Sequence, residues 1–146
     1  MCSGGDCPRT LLSLSTDQRK LLAATSTVGP QGGHAHLVAA LKVAQIILKA
    51  RPNPNQRQRI VVFVASPIDG DTVKEPLIAL AKQLRKNGVA VDVVGVAGAD
   101  NAANAPVIEA FIDAVDVGAE IDDGDRQSRF LDIPAGESIL DAVNVH

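Results

Sequence analysis

The chain has 146 residues, enough for one domain around a single core, and its 46% hydrophobic and 21% charged content is that of a folded globular protein. The net charge is −3, and the apolar content is Ala, Val, Leu and Ile with three Phe and no Trp or Tyr. This excludes the aromatic platforms and basic stripe of a nucleic-acid binder, and no apolar run reaches the length of a membrane-spanning helix.

Met1 to Thr10 carries no hydrophobic segment and does not read as a signal peptide, so the expected address is cytoplasm and nucleus. Cys2 and Cys7 both lie here, and in a reducing compartment they are expected as free thiols. Thr10 to Ser13 reads as a short strand. Ser15 or Thr16 then caps a short helix holding Leu21, Leu22 and Ala23. After the loop Gly29 to Gly33, Leu37 to Lys49 forms a clear helix, with Leu37, Leu41, Ala44 and Leu48 on one face and Ile47 beside them. Pro52 and Pro54 stop it. The nearest approach to a basic footprint is Arg51 to Arg59, a loop with Arg51, Arg57 and Arg59 that links this helix to the next strand.

Ile60 to Val64 is continuously apolar and β-branched, the pattern of a strand buried on both faces of a parallel sheet. Asp71 or Thr72 opens the next helix, with Thr72 and Glu75 spaced as a capping box and Pro76 in the first turn. Leu77, Leu80, Ala81 and Leu84 form its apolar face, and Gly88 ends it. Val89 to Val96 is a second strand of the buried type. A helix from about Ala105 presents Val107, Ile108, Phe111, Ile112 and Val115 inward. Arg129 to Ile133 is a third strand, and Ser138 to Val143 a closing helix. Strands alternating with helices over short connections imply right-handed crossovers: an α/β fold with a doubly wound, mainly parallel sheet and helices on both faces, in one domain over 1–146.

Ligands of such sheets gather at the carboxyl ends of the strands, here Ala65 to Asp71, Ala97 to Asn101 and Pro134 to Gly136. Gly29 to Gly33 lacks the Gly-Lys-Ser/Thr ending of a phosphate loop. His34 and His36 form a His-x-His pair without a third metal ligand, and capping or surface roles are expected of them. Asp122, Asp123 and Asp125 surround Gly124, yet Ile133 stands where a calcium loop needs Glu. Ser66 lies outside any nucleophile elbow. The expectation is a chain with no enzyme activity, no cofactor and no metal.

Three stretches carry a family resemblance: GGHAHLVAAL (32–41) running into VAQIILK (43–49), NQRQRIVVFVASP (55–67) and LAKQLRKNGVAVDVV (80–94), continued by RFLDIPAG (129–136). Together they resemble the von Willebrand factor A domain of the ubiquitin-receptor subunits of the proteasome regulatory particle. The resemblance implies a von Willebrand factor A-like fold lacking its first two strands and first helix. Met1 then falls near the end of the second strand, the strand near Thr10 forms a hairpin with it, and Ile60 to Val64 keeps an open apolar edge. It further implies a non-catalytic scaffold in ubiquitin-dependent protein degradation, whose partners are other regulatory-particle subunits. Members that bind a divalent cation use oxygen ligands at positions resembling Val38 and Ser66, and Val38 offers none. No Leu-Ala-x-Ala-Leu helix with an acidic flank occurs, so polyubiquitin is not expected to bind this chain directly. The expected partner-binding residues are His34, His36, Ser66, Pro67, Asp69 and Asp71. Two other readings stay open: a similar interaction domain of a transcription and repair helicase core, and a small nucleotide- or flavin-binding enzyme on the same sheet.

Overall fold

The computed structural model describes residues 2–3, 8–29, 35–96, 101–116 and 127–133. Strands β1 (Cys2–Ser3) and β2 (Arg9–Thr10) pair antiparallel, which is the hairpin expected at the start of the chain, although β2 ends before the Leu11 to Ser13 segment. Helix α1 (Gln18–Ser26) follows, then α2 (Leu37–Lys49), β3 (Gln58–Val64), α3 (Gly70–Lys86), β4 (Val89–Val96), α4 (Asn101–Asp116) and β5 (Arg129–Ile133). The helix expected over Ser138 to Val143 lies outside the described residues, as do Cys7, the Asp122 to Asp125 cluster and the strand-end segments 97–100 and 134–136.

The main sheet has the order β3-β4-β5 and is parallel throughout, with Val62 opposite Val93 and Val93 opposite Phe130. Neighbouring parallel strands are joined by crossovers of one hand, so α3 and α4 fall on the same face and pack on each other. Leu77, Leu80, Ala81 and Leu84 of α3, and Ile108, Phe111, Ile112 and Val115 of α4, are all buried. They meet Ile60 and Val64 of β3, Val89, Val91 and Val93 of β4, and Leu37 and Leu41 of α2 in one apolar cluster. Alternate strand residues supply this face because successive side chains point to opposite sides.

Several local starts differ from the sequence expectation. Asp17, not Ser15 or Thr16, caps α1 by accepting from the Arg19 N–H at 3.0 Å, while Ser15 Oγ accepts from the Asp17 N–H at 3.2 Å. Helix α3 begins at Gly70 with Asp69 as its cap, and the Thr72 hydroxyl donates to Asp69 Oδ2 at 2.8 Å. Thr72 is thus drawn inside the first turn, and the expected capping box with Glu75 does not start the helix. Helix α4 starts about one turn before Ala105 and carries Pro106 inside it. At the far end of α3, Asn87 is the C-cap and Gly88 adopts φ 64°, the left-handed turn that favours glycine.

The larger correction concerns β3. Its run of apolar residues was expected to be covered on both faces, yet Val61 is 54% and Phe63 60% exposed, while Ile60 and Val64 are buried. Among the described residues strand β3 is an edge of its sheet, and its Val61 and Phe63 side chains stay largely exposed. An apolar run marks a strand suited to burial without supplying the second cover.

At the other edge, Ser128 Oγ accepts from the Val91 N–H at 3.0 Å, and the Ser128 N–H donates to the Asp116 carboxylate at 3.0 and 3.1 Å. One serine thus ties the entry of β5 to β4 and to the end of α4. The two kinds of apolar site separate in a stability measurement. Phe111→Ala, in the closed core, is expected to cost about 3–5 kcal/mol in urea unfolding. Phe63→Ser, on the open face, is expected to stay within about 0.5 kcal/mol of the parent. Equal losses at the two positions would contradict this account of the core.

Candidate functional site

The carboxyl end of β3 runs into a five-residue turn, Ala65 to Asp69, that connects to α3. An isolated turn of this kind has free backbone groups on both sides. Here they are taken by a buried side chain from another element. Asn104 of α4 is 2% exposed; its Oδ1 accepts from the Ile68 N–H at 2.9 Å and its Nδ2 donates to the Ser66 carbonyl at 3.0 Å. One primary amide therefore satisfies a donor and an acceptor two residues apart, which fixes the loop's path. Ile68 beneath it is buried in the core.

A second tie comes from the start of α2. The Ala35 N–H donates to the Pro67 carbonyl at 3.0 Å, bringing the segment ahead of α2 against the β3–α3 loop. Gly70 completes the close fit, since a Cβ there would lie 3.0 Å from Val107 Cγ2 of α4. A larger residue at Gly70 would require the Val107 side chain to give way by a few tenths of an ångström.

Of the residues expected to bind a partner, the structure brings four to this end of the sheet. His36 is exposed and caps α2 without a side-chain hydrogen bond to the helix. Ser66 and Pro67 are half-buried in the loop, and Asp69 is exposed at the start of α3. Asp71 falls in the first turn of α3, and His34 lies outside the described residues. The side chain that organises the loop, Asn104, was not singled out from the sequence. Its signal would have been a polar residue inside an otherwise apolar helical stretch, Ala102 to Ile108, where a buried amide needs partners.

Among the described residues, no hydrogen bond joins Ser66 Oγ to a histidine or carboxylate, and no group of three or more His, Cys, Asp or Glu is placed to hold a metal ion. Val38 packs against the apolar cluster. No described helix is long and apolar enough to cross a membrane.

Comparison with known proteins bears on this arrangement. Residues 1–70 match the model of the von Willebrand factor type A domain. The chain is 40% identical over 114 residues to the 26S proteasome regulatory subunit rpn10 of Schizosaccharomyces pombe, covering 78% of this chain and 44% of that protein. It is 36% identical over 136 residues to the RPN10 subunit of Saccharomyces cerevisiae, covering 93% and 47%. The crystal structure of the SpRpn10 VWA domain superposes with a TM-score of 0.76 at 34% identity, over 99% of this chain and 68% of that one. The chain spans less than half the length of these curated relatives.

The Asn104 clamp makes a direct prediction. Asn104→Leu leaves the Ile68 N–H and the Ser66 carbonyl without partners and is expected to destabilise the chain by about 2–4 kcal/mol. Hydrogen exchange should show the Ile68 amide losing its protection well before the amides of β4. An unchanged Ile68 exchange rate would remove the clamp from this account.

Proposed function

We propose a function from one premise: the chain belongs to the von Willebrand factor type A domain family, in the branch of the proteasome regulatory subunit Rpn10. In our reading it is a non-catalytic scaffold of the proteasome regulatory particle, acting in ubiquitin-dependent protein degradation by docking onto other regulatory-particle subunits. The observation that carries this reading is the match to the SpRpn10 VWA domain over 99% of the chain. A match of that extent at 34% identity shares more than the general α/β architecture, which by itself would say nothing about function.

The docking surface we propose is the carboxyl end of the sheet, with Ser66, Pro67 and Asp69 on a loop held by Asn104 and His36 at the start of α2. A loop braced by a buried amide loses little conformational freedom on binding, which favours its use as a recognition surface. Asp71 in the first turn of α3 and His34 ahead of α2 belong to the same proposal by position in the chain. Polyubiquitin is not proposed as a direct ligand of this chain, and the proposed address is the cytoplasm and nucleus.

Gentle affinity purification of the tagged chain from its native cells, followed by mass spectrometry, tests the proposal. Regulatory-particle subunits are expected among the recovered proteins. Asp69→Lys, on the exposed loop, is expected to lower that recovery about tenfold, since a reversed charge at a docking surface costs on the order of 1.4 kcal/mol or more. Its thermal midpoint should move by only a few degrees. A soluble monomer that recovers no proteasome subunit would sink the scaffold reading.

A further inference from the structure

The opposite end of the sheet carries a second feature that the docking reading does not use. At the amino ends of β3 and β4 an open cleft of about 310 Å³ is lined by Arg51, Arg57 and Arg59, by the amides Gln58 and Asn87, and by Gly88. Three guanidinium groups line it, one of them, that of Arg59, ion-paired with Asp92 of β4, in a chain whose net charge is −3.

The way Arg51 is held sharpens the picture. Its Nη1 donates to the Leu48 carbonyl at 3.2 Å, at the end of α2, and its Nη2 to the Pro54 carbonyl at 2.6 Å. Neutral carbonyls orient the guanidinium without cancelling its charge, and its Nε is buried with no hydrogen-bond partner among the described residues. The Arg59 guanidinium is ion-paired through Nη1 with Asp92 on the neighbouring strand, so its charge is offset there and it serves mainly to shape the cleft wall. Gln58 Nε2 donates to the Asn87 carbonyl at 3.1 Å and closes the floor between β3 and the α3–β4 turn. Gly88 has nothing within 4 Å of the position a Cβ would take, so this wall of the cleft is open.

We propose that this cleft is a second recognition site, which takes the carboxylates of an acidic segment of a partner protein. The planar fork of arginine matches a carboxylate in geometry as well as charge. The cleft is at the small end of ligand-sized pockets, suited to one or two side chains of a peptide rather than to a folded surface. A nucleic acid fits the chain less well. Its phosphate backbone meets a net negative protein with no Trp or Tyr to stack on its bases. The site goes beyond the docking proposal and is independent of it, because it lies at the other end of the same strands.

The test uses the full chain and a fluorescein-labelled oligoglutamate peptide, read by fluorescence anisotropy, with oligoglutamine and single-stranded oligothymidylate of equal length as comparisons. Oligoglutamate is expected to bind in low salt and to be released as salt rises, with no binding of oligoglutamine. Arg57→Glu, in the exposed loop before β3, is expected to weaken binding about tenfold or more, with an unchanged circular-dichroism spectrum. Asp69→Lys, at the far end of the sheet, is expected to leave oligoglutamate affinity within about twofold, because the two ends are separate and screened. No binding of oligoglutamate overturns the proposal, as does an Arg57→Glu variant that binds as well as the parent. Tighter binding of oligothymidylate than of oligoglutamate overturns it too, and assigns the cleft to nucleic acid. Failure of the docking reading would show in the affinity purification and would leave these affinities untouched.

Discussion

The parallel pairing of β3, β4 and β5 is the constraint from which most of this structure follows. Parallel neighbours cannot be joined by a tight turn; each pair needs a crossover, and crossovers in a sheet have one hand. With the strands in sequential order, that rule sends α3 and α4 to the same face and presses them together. The apolar sides of the two helices then close over alternate residues of β3 and β4, and Leu80, Leu84 and Phe111 become inaccessible to solvent. The same pairing gathers all three carboxyl ends at one edge of the molecule and all three amino ends at the other.

The two ends are built differently. At the carboxyl end of β3, buried amide hydrogen bonds from Asn104 hold a loop that displays Ser66, Pro67 and Asp69. At the amino ends, Arg51 is braced by backbone carbonyls and Arg59 is ion-paired with Asp92, and together with Arg57 they line one cleft. A rigid polar loop favours a shape-matched protein surface, whereas a cluster of guanidinium groups favours carboxylates. The two ends of the strands thus differ in chemistry.

Strand β3 shows what a hydrophobic pattern can and cannot say. Ile60 to Val64 reads as a strand buried on both sides, and its two faces are indeed both apolar. Only the Ile60 and Val64 side is covered by described elements; Val61 and Phe63 face outward on a sheet edge. Composition records which environment a side chain tolerates. Whether another element arrives to provide that environment depends on chain that is distant in sequence. Helix α1 makes the same point on a smaller scale, since Leu21 and Leu22 form an apolar pair yet no residue of α1 is buried.

By itself the sequence determined the order of the elements, the parallel sheet and most of the core, because these follow from short-range periodicity: the spacing of Leu77, Leu80, Ala81 and Leu84, the β-branched run of Val89 to Val96, the turn at Gly88. The segments 32–49, 55–67 and 80–94 also carried the family, since they hold the residues shared with its members. Only the tertiary structure decided which helix start won at Asp69, which face of β3 stayed open, and that Asn104 would bind a loop more than thirty residues away in sequence. It alone brought Arg51, Arg57 and Arg59 around a cleft with Asn87 and Gly88. The reason is physical: local patterns are read within a turn or a strand, whereas hydrogen bonds and charge clusters between elements exist only once the crossovers have set those elements side by side.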